Sequence, residues 1–185
     1  YKRQLLAIGY SNKYITTEYG ILSGYAMPLL LLPSFFTMAI SQALLPVVSR
    51  EYARGNYDSV KRKIKQAIYY SLLIGIPVTI FFIFLPEIPL QLIYHTTEGT
   101  NYIRFLAPIC LFQYIQSPLS SSLDAMGKSK DGMTATLLGQ IVRLTFLVLL
   151  SLLKIGLWGL IIAISLNVLV VTFYSIKKVR YHLTI

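Results

Sequence analysis

Residues 132–153 of this chain are apolar enough to lie in a membrane, yet they carry Arg143 near their middle. An arginine at the centre of a membrane helix costs roughly 2.5–3.5 kcal/mol on insertion scales, so a partner, water or an anionic group must compensate it. Gly132, Thr136, Gly139 and Gln140 share its side of the helix. A second set, Gln113, Gln116, Ser117, Ser120 and Asp124, recurs at three, four, seven and eleven residues from Gln113 and so lines one helical face. Ser34, Thr37 and Ser41 form a third set one turn apart, with Gln42 beside them, and a later apolar run adds Ser165 and Asn167. Amides, hydroxyls and one guanidinium in these patterns can hydrogen-bond between helices, at about 0.6 kcal/mol or somewhat more per contact. They can equally wall a hydrated cavity that receives a polar, anionic cargo. Asp124 is poorly placed to neutralise Arg143, which lies several turns deeper in the membrane.

Bond-making chemistry has no matching constellation. There is no Ser–His–Asp set, carboxylate pair at workable spacing, HExxH, P-loop or Gly-rich dinucleotide turn, and Asp and Glu together number 7. Cys110 is the single cysteine, which excludes an internal disulfide and a cysteine-based metal site. His95 has no partner pattern and reads as a solvated loop residue. No catalysis, cofactor or metal is expected.

These residues must be held by membrane helices. With 55% hydrophobic and 13% charged residues, the 185-residue chain departs from the balance of a soluble domain. A crossing needs about 20 mostly apolar residues, and the runs that qualify are 22–48, 67–85, 105–123, 132–153 and 155–176. The expected fold is therefore an all-α, polytopic transmembrane bundle of about five helices. The runs are continuously apolar, without the in–out alternation of barrel strands. The first lies within an uncharged stretch interrupted by Pro28, Pro33 and Pro46, which predicts a leading segment plus one kinked helix. Pro108 and Pro118 are expected to bend the third. The second holds only Gly75, Pro77 and Thr79 among bulky apolar residues and is expected to face lipid. Residues 90–94 are too short to span and suit the interface.

Net charge is +10, and its placement argues for a membrane surface rather than nucleic acid. Arg50, Arg54, Lys61, Arg62, Lys63 and Lys65 follow the first run, Lys128 and Lys130 the third, and Lys177, Lys178 and Arg180 the fifth. The other side's loops hold Arg104 and Lys154. The positive-inside rule makes the richer side cytoplasmic. Residues 58–66, with Val60, Ile64 and Ala67 at helical spacing, predict an amphipathic helix within the basic link 50–66, whose Lys61, Arg62, Lys63 and Lys65 face the anionic inner leaflet. Lys2, Arg3 and Lys13 fall on the external side, an exception that is eased if residues 1–8 end a preceding helix. A start on Tyr1 rather than Met suits a segment of a longer chain.

The run 42–67, QALLPVVSREYARGNYDSVKRKIKQA, resembles the cytoplasmic link of the polysaccharide-flippase and stage V sporulation protein B families. These belong to a MATE-like superfamily that also includes multidrug and toxin extruders and lipid II flippases. Pro46, Ser49, Ala53, Gly55 and Asn56 occupy the link's characteristic places. YGILSGYAMPLLLLP at 19–33 and LDAMGKSK at 123–130 fit the same pattern, and LAIGYSN at 6–12 is similar to the sporulation branch. The resemblance implies most of the second, C-terminal lobe of a two-lobed alternating-access transporter, with the N-terminal lobe of the same protein as its partner. It implies a flippase in the bacterial cytoplasmic membrane whose substrate is a lipid-linked sugar diphosphate, an oligosaccharide or peptidoglycan precursor, with Na⁺ or H⁺ as a possible coupling ion. Family cavity arginines lie largely in the first lobe, so Arg143 rests on the burial argument alone. The alternatives are a cation-coupled multidrug exporter, which would want a deep carboxylate, and a non-transporting scaffold for envelope enzymes, which leaves the polar stripes unaccounted for.

Overall fold

Prolines and glycines set where the helices of this all-α bundle break. A computed structural model describes residues 11–152 and 157–184, and among them every regular element is helical. The expected end of a preceding helix at residues 1–8 and the boundary at 153–155 lie outside the described residues. Helix α1 (Asn12–Ile21) passes through a π-helical turn, Leu22–Ala26, into α2 (Met27–Leu31). Beyond Leu32 and Pro33, α3 (Ser34–Ala53) leaves at 48°. Pro33 has no N–H to continue the ladder, and three-residue bonds bridge the break: Leu32 N to Leu29 O, Phe35 N to Leu32 O and Phe36 N to Pro33 O. Pro46 lies inside α3.

A left-handed glycine closes α3. Gly55 has φ 73°, and Asn56 N reaches Glu51 O while Gly55 N reaches Tyr52 O, both at 3.0 Å. Asn56 then caps α4 (Tyr57–Phe84), its side-chain oxygen accepting from Ser59 N at 3.4 Å. Helix α4 runs unbroken for 28 residues, so no separate surface helix occupies 58–66 and the link shortens to Arg54–Gly55–Asn56. The reason is one continuous stripe: buried Val60, Ile64 and Ala67 pass into Ser71, Gly75, Thr79 and Phe82 at helical spacing.

Short α5 (Glu87–Tyr94) follows, then α6 (Thr100–Ala125), α7 (Ser129–Leu152) and α8 (Trp158–Thr184). Gly127, with φ 70°, turns the chain after α6 as Gly55 does after α3.

By length and composition α4, α7 and α8 can each cross a membrane, and the bent unit of α1, α2 and α3 makes a fourth. The expected third span, 105–123, lies in α6, which is 26 residues long but less apolar. Its position accounts for that. Helix α6 packs against α3, α4, α7 and α8, so protein rather than lipid meets its polar face. Helix α4 is only partly the lipid-facing helix expected: Leu73, Ile76 and Ile80 point outward, while Gly75 lies against Tyr114 of α6.

Apolar packing divides into two cores. Leu22, Leu30, Phe82, Leu106, Tyr114 and Ile161 belong to one, and Leu44, Val48, Ile64, Leu119, Leu123 and Val179 to the other. The second stands at the end rich in Lys and Arg.

A polar cleft between two apolar cores

The cleft opens between these cores, where the polar stripes of four helices converge on a volume of about 380 Å³. Helix α3 supplies Ser34 and Thr37 with Met38, and α6 supplies Gln113, Gln116, Ser117 and Ser120. Thr136 and Gln140 come from the thinly covered α7, and Asn167 and Val171 from α8. All of these are uncharged.

The hydroxyls on α3 are directed by the break that precedes it. Ser34 donates to Leu31 O, Thr37 to Ser34 O at 3.0 Å and Ser41 to Thr37 O at 2.6 Å. Each spends its only proton on a carbonyl of its own chain, which leaves lone pairs as what it offers elsewhere. Ser41 is fully buried behind the lining and lies 2.8 Å from the Ser117 hydroxyl. Since the Ser41 proton is committed to Thr37 O, Ser117 is the donor in that pair and fastens α3 to α6. Thr136 likewise donates to Gly132 O at 3.1 Å. The wall is therefore acceptor-rich at its hydroxyls, while the amides of Gln113, Gln116 and Gln140 offer both donors and acceptors.

Of the two polar residues that the sequence offers from this helix, Asn167 reaches the lining, whereas buried Ser165 donates to Ile161 O at 2.8 Å and stays outside it. Asn167 Nδ2 is buried with no hydrogen-bond partner among the described residues. Gly139 makes room for it: a Cβ there would stand 2.9 Å from that nitrogen and 2.3 Å from Val171 Cγ2.

Three expected features lie elsewhere. Arg143 is not in the lining. It follows Gln140 by three residues, roughly 4.5 Å further along α7, is half-buried, and donates no hydrogen bond and joins no ion pair among the described residues. Arg143 lies seven residues, two helical turns, beyond Thr136, and the cleft lining on α7 ends at Gln140. Asp124 is exposed near the end of α6. Arg62, Lys63 and Lys65 are exposed on α4, and Lys61 is half-buried.

One tie had no local signature. Asp131 at the start of α7 accepts from Lys178 Nζ at 2.9 Å and lies 2.6 Å from His182 Nε2, closing the basic end of the α7–α8 hairpin.

Comparison with known proteins agrees with this architecture. A family model described as MatE matches residues 23–149. Stage V sporulation protein B of Bacillus subtilis (strain 168) is 34% identical over 172 residues, covering 91% of this chain and 33% of that protein. Sporulation protein YkvU of the same organism is 30% identical over 173 residues, covering 92% and 39%. Lipid II flippase MurJ, again from B. subtilis, is 21% identical over 168 residues, covering 88% and 30%. The chain thus spans about a third of the length of these curated relatives. No solved structure matches.

Proposed function

The chain belongs to the MatE family, and from that premise we propose that it forms part of the second lobe of a flippase that carries a lipid-linked oligosaccharide or peptidoglycan precursor across the bacterial cytoplasmic membrane. The observation that carries this reading is the uncharged cleft between the two apolar cores. Its hydroxyl acceptors and amides match a polyhydroxylated headgroup, whose many O–H donors need acceptors once they leave water. The lipid tail stays in the bilayer beside the bundle.

A diphosphate would need cations, and the lining has none. Arg143, one turn beyond Gln140, is the nearest deep cation on α7, and the N-terminal lobe is proposed to supply the others. The lining also lacks a carboxylate, the group that a cation-coupled drug exporter would use, which favours the flippase reading.

The test replaces Gln116 and Gln140 by Leu in the full-length protein and follows translocation of a lipid-linked precursor in vesicles, with membrane abundance held equal. Transport is expected to fall at least about tenfold, as two amides that line the cleft are lost. Unchanged transport would remove the cleft from the pathway. Arg143→Ala, assayed in parallel, tests diphosphate neutralisation separately.

A further inference from the structure

A second groove lies on the other side of the bundle. Seen down α8, its residues Ile176, Val179 and Leu183 fall on the face opposite Asn167 and Val171, so this hollow and the polar cleft do not share a wall of that helix. Its volume is about 450 Å³ and its floor is apolar, completed by Ile64 and Ile68 of α4 and Leu119 of α6. Three cations rim it: Lys61 and Lys65, one turn apart on α4, and Arg180 on α8.

We infer that this groove binds one anionic phospholipid, its phosphate held among Lys61, Lys65 and Arg180 and an acyl chain laid along the Ile64–Leu119–Val179 floor. Charge and position choose the occupant. No acidic residue is among the described residues that line the groove, and Lys61 meets the almost fully exposed Asp58 only at a loose 4.0 Å. A soluble phosphate would have no use for the apolar floor, and an apolar protein helix would offer Lys61 and Lys65 no counter-charge. The groove stands at the bundle end that the Lys and Arg distribution assigns to the cytoplasmic leaflet, where anionic headgroups are concentrated.

The basic run of α4 is thereby divided. Lys61 and Lys65 belong to a site, whereas exposed Arg62 and Lys63 stand outside its lining and contribute only diffuse attraction.

Native mass spectrometry of the full-length protein titrated with phosphatidylglycerol tests the site without reference to transport, so it stands or falls apart from the flippase reading. Removing one cation is expected to weaken retention about fivefold, and K61Q/K65Q/R180Q about a hundredfold. The control R62Q/K63Q/K128Q removes the same charge and is expected to stay within about threefold of the unaltered protein. Ile68→Trp, which fills the floor and keeps every cation, is expected to weaken retention about tenfold or more and serves if the triple variant fails to fold. Equal weakening in the two triple variants would overturn the site. So would an unaltered protein that holds no phosphatidylglycerol, or one from which glycerol phosphate displaces the lipid at equal concentration, the mark of a free-phosphate site.

Discussion

The phenol of Tyr114 donates a 2.6 Å hydrogen bond to the backbone carbonyl of Leu30, tying the central helix α6 to the bend before α3. The backbone bonds that bridge this bend serve Leu29, Leu32 and Pro33, so the Leu30 carbonyl takes its donor from another helix. Tyr114 is fully buried, so removing its hydroxyl takes from the Leu30 carbonyl the donor it has there. Tyr114→Phe is therefore expected to cost about 1–3 kcal/mol in thermal unfolding of the full-length protein in nanodiscs. Amide exchange at Phe35 and Phe36, just past the break, should accelerate. A variant indistinguishable from the original in both measurements would show that the bend holds without this bond.

The same ring fixes how closely α4 approaches. A Cβ at Gly75 would stand 2.8 Å from Tyr114 Cδ2 and 3.2 Å from Leu111 Cδ2. Because its hydroxyl is anchored at Leu30, the ring has little freedom to retreat. Gly75→Ala is expected to destabilise by about 1–3 kcal/mol despite alanine's better helix propensity. Gly132→Ala, where nothing lies within 4 Å of the added Cβ, should be neutral or slightly stabilising. Equal effects of the two substitutions in one unfolding assay would refute the contact argument.

How much of this was readable beforehand depends on the range of each cause. The apolar runs and the turns at Gly55 and Gly127 follow from single residues or local composition, whereas of the three prolines in the first run only Pro33 stands at the break, Pro28 and Pro46 lying inside helices. The polar faces of α3, α6 and α7 were legible because helical periodicity groups Ser34 with Thr37 and Gln113 with Ser117, and the cleft gathers both pairs. Periodicity says nothing about where along a helix a cleft stops, so Arg143 was expected inside it. The sequence assigns Val60, Ile64 and Ala67 to a helix on the membrane surface, whereas α4 carries their stripe on to Phe82. Tyr114 and Leu30 are separated by 84 residues, and His182 and Asp131 by 51, so no local pattern announces either tie.

Water access separates a transport cleft from a dry polar interface. Cys110 is buried and is expected to resist a water-soluble maleimide in the native protein. Single cysteines replacing Gln116 and Gln140, in a background with Cys110 changed to Ala, are expected to label at least about tenfold faster than one replacing Phe36, an exposed apolar residue outside the cleft lining. Absence of labelling at both glutamine positions in every transport state would leave only the interhelical hydrogen-bonding role.

Helices α7 and α8 meet where glycine permits it. An added Cβ at Gly139 would come within 2.3 Å of Val171 Cγ2 and 2.9 Å of Asn167 Nδ2, far inside van der Waals contact. Gly139→Ala is therefore expected to push the hairpin apart beside the cleft, lowering stability by about 1–3 kcal/mol and displacing the Asn167 amide. Val171→Ala alone opens a void and should also destabilise. Combined, the two changes exchange volume across one contact, so the double variant is expected to be more stable than the sum of the single effects, by about 0.5 kcal/mol or more in a double-mutant cycle. Strict additivity would mean that the alanine methyl is accommodated by movement of α7 as a whole. A cycle with the predicted coupling would instead locate the strain at Val171, and recovery of transport in the double variant would then tie the proposed flippase activity to the spacing that Gly139 sets.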